Sequence, residues 1–288
     1  VKRARRLPLN DRTTKLDRDK VYVTFETNEG DTPRAVVSAM ASAWAQPQRG
    51  SLPIAWAMDP VLAERFPALF DHFATTATFN DSFIAGVAGA GYVYLNQMSD
   101  LQLRTYGERT GFLTAQYGLS VLDTYGYANK SVHEKYARAL ARGGGAPDAF
   151  VTQPNWVAWT HAQAYSPWRC EPDAGNLLIA NDIPLICTSS TPELFYYSTT
   201  LNASCPSCDL AARITTVAHR HSPPHFITVY GGLQANGGVE VRSLRNFWRL
   251  LTDTVDQLED HIVPIGAAEM ARLAREALTQ KPTVKADA

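Results

Sequence analysis

The residues of this chain that point first to chemistry are its carboxylates. Glu26, Glu29 and Asp31 fall within TFETNEGDT, Asp59 closes LPIAWAMD, and Asp123 lies in LSVLDTYG. Each stands at or just past the end of a run rich in β-branched, aromatic and aliphatic residues, the pattern of a buried strand. Glycoside hydrolysis uses one protonated and one ionised carboxyl, about 5 to 9.5 Å apart, on either side of the bond that breaks. Amides and aromatic rings occupy equivalent places. Tyr125, Gln153 and Tyr230 end later runs, and Trp156 and Trp159 open the segment QPNWVAWTHAQAYSPWRC. Faces of tryptophan and tyrosine bury apolar area while keeping a polar edge, which suits a sugar ring. The expectation is that Asp31 and Asp123 act as acid and base or nucleophile, with Glu29 as substitute for either. Asp59, Tyr125, Gln153, Trp156, Trp159 and Tyr230 would hold substrate. Each also has a plainer use: Asp31 and Asp59 can cap the helices that follow them, and the tryptophans can pack a long loop.

A second stretch, GVAGAGYVYL (86–95), sets Gly89 and Gly91 beside Tyr92 and Tyr94. Glycine there either permits a turn closed to other residues or lets something approach the main chain. The functional reading is a subsite floor, the glycines passing under a bound sugar while Tyr92 and Tyr94 supply a stacking face and a hydroxyl.

The elements that must position these groups follow a repeating pattern. Strand-like runs at 20–27, 52–59, 82–87, 119–126, 147–153, 183–190, 225–232 and 261–266 are nearly all followed by a stretch of helical period. Such alternation predicts an α/β fold with a parallel sheet and helices outside it. Eight units favour a single-domain (β/α)8 TIM-like barrel, whose working face lies at the carboxyl ends of the strands. The boundaries expected are a basic leader or linker over 1–18, the barrel over 19–280 and a tail over 281–288.

Net charge of −1 on 288 residues gives no electrostatic reason for a nucleic-acid partner. No run of eighteen apolar residues exists, so no membrane span is expected. Four cysteines and the Asn-x-Ser sequons at Asn80, Asn129 and Asn202 suit an extracellular or secretory compartment. Cys205-Pro-Ser-Cys208 reads as a small local disulfide or two ordinary thiols. His219, His221 and His225 fall where a helix gives way to the seventh strand, the structural end of a barrel, and neither a metal site nor a cofactor is expected.

With these residues in view, Gly89-Ala-Gly91-Tyr92-Val-Tyr94-Leu95 resembles the signature that names the GxGYxYP family of glycoside hydrolases. TFETNEGDT is similar to that family's first strand and acidic turn, and the similarity extends over roughly residues 20 to 100. The resemblance implies a TIM-like C-terminal domain, a separate N-terminal domain ahead of it, and hydrolysis of a polysaccharide or oligosaccharide; it supplies no catalytic pair. This chain departs from the pattern at Glu29 (Asp in the family), Thr32 (Asn) and Leu95 (Pro). A longer acid arm and a loop without proline's fixed φ could retune substrate choice. The alternatives are a glycan-binding module without catalysis, or a metal-dependent carbohydrate hydrolase or deacetylase built on Glu29, Asp31 and a rim histidine.

Overall fold

The structure, a computed structural model, describes residues 4–8, 14–27, 33, 36–125, 129–153, 177–187, 201–231 and 244–279. Its strands are β1 (Val21–Thr27), β2 (Ile54–Ala57), β3 (Asp81–Ile84), β4 (Val121–Tyr125), β5 (Ala149–Gln153), β6 (Leu177–Ala180), β7 (Ile183–Cys187), β8 (His225–Gly231) and β9 (Ile262–Pro264). Between them lie a π-helical turn (Val36–Met40) running into α1 (Ala41–Trp44), then α2 (Val61–Arg65), α3 (Pro67–Thr76), α4 (Asp100–Tyr117), α5 (Lys130–Arg142), α6 (Pro206–Ala218), α7 (Leu244–Val255) and α8 (Ala267–Thr279).

Two sheets form, in the orders β3-β2-β1-β8 and β4-β5-β7-β6. A parallel bridge between Ala85 and Leu122 joins them at the β3–β4 seam, so the strands continue around one curved surface. All pairings are parallel except β6 with β7. The fold is therefore mixed α/β with parallel sheets, as the alternation predicts.

Two features depart from a regular eight-fold ring. β8, the seventh strand expected from sequence, pairs directly with β1 along its full length. The expected eighth, β9, takes the other edge of β1, beside Val21 to Val23, while β2 takes that edge at Glu26 and Thr27. Among the described residues no pairing joins β8 to the β4–β7 group.

β1 is buried at all seven positions, because both faces of the sheet are covered. Val21, Val23 and Phe25 belong to the large apolar cluster shared with α1 to α7. Tyr22 points the other way, into a second cluster with Ala55, Ala57, Ile84, Val121, Val151, Ile186 and Phe226, and the apolar residues there from α8 are Ala267, Met270, Ala271, Leu273 and Ala274. The last helix thus lines the inner face while the others form the outer layer. Its small residues allow the close approach. Thr24 and Thr228 reach the Met270 sulfur at 3.3 and 3.9 Å, and the Ala267 N–H donates to Ser82 Oγ at 3.0 Å.

Helix ends follow local chemistry. Ser99 and Gln102 form a capping box at the start of α4, and Gly118 ends it in the left-handed region with φ 82°. Asn129 accepts from Val132 N to cap α5. Pairing of α4 with α5 is close enough that a Cβ on Gly111 would lie 2.1 Å from the Leu140 carbonyl oxygen. The basic leader is held to the domain: Leu7 is in the core and its N–H donates to Tyr117 O at 2.9 Å.

Candidate active site

The inner face above α8 carries the polar groups. Side chains alternate across a strand, so Glu26 shares the face of Tyr22 and Thr24, Asp123 that of Val121, and Tyr230 that of Phe226 and Thr228. Register sets Tyr230 beside Glu26 on one side and Ala55 on the other. Asp123 pairs with Val151. Glu26 and Asp123 come from strands on opposite sides of the β3–β4 seam, and curvature brings their carboxyls together.

Both acids are buried, at 1% and 0% exposure. Neither oxygen of Asp123 receives a well-formed hydrogen bond from a described donor. Burial pushes the Asp123 carboxyl up to about 8; the Glu26 carboxyl beside it and the Thr124 backbone N–H pull the other way without offsetting the loss of water. At neutral pH this aspartate holds its proton. A carboxyl that stays neutral beside a second carboxyl is the state a general acid needs.

The signature loop is built onto this strand. Ala88 N–H donates to the Asp123 carbonyl oxygen at 2.5 Å, Tyr106 hydroxyl donates to Gly91 O at 2.7 Å, Ala90 N–H donates to Thr110 Oγ1 at 3.1 Å, and Tyr136 hydroxyl donates to Ala88 O. Burial raises the phenols of Tyr106 and Tyr136 above their ordinary value, so both remain donors. Gly89 adopts φ 125°, and a Cβ there would fall 2.2 Å from Thr110 Cγ2 and 2.8 Å from the Tyr136 hydroxyl. The first glycine is thus required by α4 and α5. Gly91 also has a positive φ, of 112°, but a Cβ there would meet nothing within 4 Å. Beyond it Tyr92 is 44% exposed, and its ring meets Tyr94 edge to face with the hydroxyls 3.3 Å apart.

The other expected site residues fall as follows. Asp59 is nearly buried and its Oδ1 accepts from Val61 N at 2.8 Å, the capping role. Tyr230 is buried beside Glu26 rather than an open platform. Tyr125 and Gln153 are register partners at the ends of β4 and β5; their side chains lie outside the described residues, as do Glu29, Asp31, Trp156 and Trp159 entirely. Glu26 is the strand-end acid to which sequence reasoning gave no role. It was visible as a polar residue at a strand end, but a run of seven buried residues gives no alternation to show which face it takes. Glu269, buried with both oxygens lacking a hydrogen-bond partner among the described residues, was not singled out from sequence; it lies in the first turn of α8, where the helix dipole favours an anion.

A groove of about 320 Å³ between α4 and α5, lined by Asp100, Arg104, Lys135, Arg138 and Arg142 among others, belongs to the helical layer and not to the inner face. A cavity alone does not mark a candidate site; a buried acid with a strongly shifted pKa does.

The model of the GxGYxYP putative glycoside hydrolase C-terminal domain matches residues 19–167. The chain belongs to that family. Its match takes in β1 through β5, and so both Glu26 and Asp123 as well as the glycine-tyrosine loop. A crystal structure of a putative hydrolase from Bacteroides thetaiotaomicron VPI-5482 superposes with TM-score 0.72 at 17% identity, over 96% of this chain and 49% of that one. This chain therefore spans about half of that protein. A putative polysaccharide deacetylase from Mycobacterium smegmatis superposes with TM-score 0.59 at 10% identity, each chain covered in full. At such identities the likeness is one of fold. No protein of curated function matches the sequence.

Proposed function

We propose that this GxGYxYP domain hydrolyses a glycosidic bond in a polysaccharide or oligosaccharide, with Asp123 as the general acid. The observation that carries the reading is the buried Glu26–Asp123 pair, near the carboxyl end of β1 and in the middle of β4, one member of which keeps its proton at neutral pH. Two carboxyls in direct contact are closer than the roughly 5 to 9.5 Å that separates the two flanking groups of a glycosidase. Glu26 is therefore not the second catalytic carboxyl but a buried neighbour whose titration is linked to that of Asp123, while burial keeps the Asp123 proton in place. The carboxylate across the scissile bond is assigned to the turn after β1, to Asp31 with Glu29 as its substitute.

In this scheme Asp123 protonates the departing glycosidic oxygen, and the second carboxylate attacks the anomeric carbon or activates a water to do so. As Asp123 gives up its proton the pair becomes more negative, and the positive charge developing on the sugar ring in the transition state offsets that. Tyr92 and Tyr94 would stack on the sugar at the edge of the site, with Trp156 and Trp159 beyond the described residues in the same role. The disulfide joining Cys205 and Cys208 supports work in an extracellular or secretory compartment. Among the described residues no helix is long and apolar enough to cross a membrane.

The test is turnover of a broad panel of polysaccharides and aryl glycosides by the parent, Asp123→Asn and Glu26→Gln. Loss of a general acid costs about 10² to 10⁴ in rate, and Asp123→Asn should lose that much while glycan binding persists. Binding without turnover by the parent would favour a non-catalytic glycan-binding module.

A further inference from the structure

At the opposite end of the strands, away from the carboxyl pair, three donor groups converge from two parts of the chain. His219 ends α6, and its Nε2 lies 3.4 Å from Glu259 Oε2. His261, one residue before β9, brings Nδ1 to 3.3 Å from the same oxygen. The three ligand atoms all lie within 4.8 Å of one another. We propose that His219, Glu259 and His261 form a binding site for a first-row divalent transition ion of the Zn²⁺ class.

Metal–ligand lengths of about 2.0–2.1 Å in a tetrahedral shell put neighbouring ligand atoms about 3.3 Å apart. Both histidine–glutamate separations already have that value, and a small rotation of exposed side chains closes the third edge. Two imidazoles and one carboxylate select Zn²⁺, Co²⁺ or Ni²⁺ over Ca²⁺ or Mg²⁺, which take oxygen ligands.

The backbone under the donors is fixed. His261 O accepts from Val21 N at 2.9 Å, Ile262 N–H donates to Glu259 O at 2.8 Å, and His219 N–H donates to Thr215 O at 3.1 Å. Glu259 and His261 therefore share one tight turn at the edge of the sheet. The third ligand comes from the carboxyl terminus of a helix, where the dipole favours a cation. Three protein ligands leave room for water, and the ion would tie the end of α6 to the turn before β9. His221 takes no part: it packs edge to face on buried His225, ring centroids 4.8 Å apart.

The test is calorimetric titration of Zn²⁺ into chelator-treated protein at about pH 7.5, where an ordinary imidazole is neutral, with melting curves alongside. The expected result is one ion per chain, and a melting temperature raised by about 5 °C or more at hundredfold excess over Kd. His219→Ala, Glu259→Gln and His261→Ala should each weaken binding at least tenfold. All three residues are surface groups, so each variant should melt like the parent in chelator. His72→Ala, which removes an exposed histidine elsewhere, should bind as the parent does. Absence of stoichiometric binding by the parent, or binding unchanged in the three variants, overturns the site.

Discussion

Asp81 and Asp123 are both fully buried aspartates on neighbouring strands, β3 and β4, and their surroundings are opposite. Asp81 opens its strand. Its Oδ2 accepts from Arg49 Nη1 at 2.5 Å, from Thr78 N at 2.7 Å and from Thr78 Oγ1 at 2.8 Å, and its Oδ1 accepts from Trp56 Nε1 at 2.8 Å. Asp123 is the middle residue of its strand, with no comparable donor among the described residues and another carboxyl beside it. Burial of a charge is tolerated where donors replace water and resisted where they do not. The first aspartate therefore holds β2, β3 and the Arg49 turn together, and the second is kept protonated, as the proposed general acid must be. On the proposed reading, one scaffold keeps stability at the amino ends of its strands and places reactivity farther along them.

Exchanging the two carboxyls for amides or alanine should separate the roles, and the largest effect belongs to catalysis. Asp123→Asn should cut turnover about 10² to 10⁴-fold and leave the far-ultraviolet spectrum unchanged. Asp81→Ala leaves Arg49 and the Trp56 indole without their shared acceptor; unfolding in urea should show a loss of about 3–5 kcal/mol.

Stability against pH sharpens the contrast. For Asp123 the folded pKa, about 8, lies above the unfolded value of 3.8. Between those values the native state binds the extra proton, so stability should fall as pH rises from about 4 to 8 and then level off. Asp123→Asn should remove that slope and gain several kcal/mol above pH 8, a gain shared with coupling to Glu26. His225 works in the opposite sense. Burial lowers it to about 4, so its contribution is complete above the unfolded value near 6.5 and is lost as pH falls through 4. A urea series across pH for the parent and both His225→Gln and Asp123→Asn would resolve the two slopes.

Smaller effects belong to the signature loop. Gly89→Ala meets both an adverse φ and the Thr110 and Tyr136 side chains; it should cost about 2–4 kcal/mol. Gly91→Ala, facing open space, should cost only the backbone strain of about 1–2 kcal/mol. Tyr92→Ala should leave stability within about 0.5 kcal/mol and raise KM on a glycan substrate severalfold with kcat little changed.

Strand-and-helix alternation was legible in the sequence because it is local: apolar runs and helical periods report how each segment buries its own face. What covers a face is a tertiary fact. AAEMARLAREALT has the period of an outer helix, and nothing in it says that it lines the inner face with Met270 against Thr24 and Thr228. The hairpin partner β6 was hidden likewise, because LLIA carries too few residues to show a period. Pairing of β8 directly with β1 depends on register, which apolar runs buried on both faces do not encode.

At the site, Asp123 was legible as an acid closing an apolar run. Its partnership with Glu26 was not, since two strands and the seam intervene. The glycine stretch could be read as a place of close approach. That the approaching groups at Gly89 are Thr110 and Tyr136 depends on where α4 and α5 dock.

The most direct measurement of the account is a carboxyl ¹³C titration of protein labelled at aspartate, in the parent and in Asp123→Asn. One aspartate resonance should titrate near pH 8 in the parent and vanish in the variant. If every aspartate titrates in the ordinary carboxylate range, Asp123 carries no proton at neutral pH and its assignment as general acid is wrong.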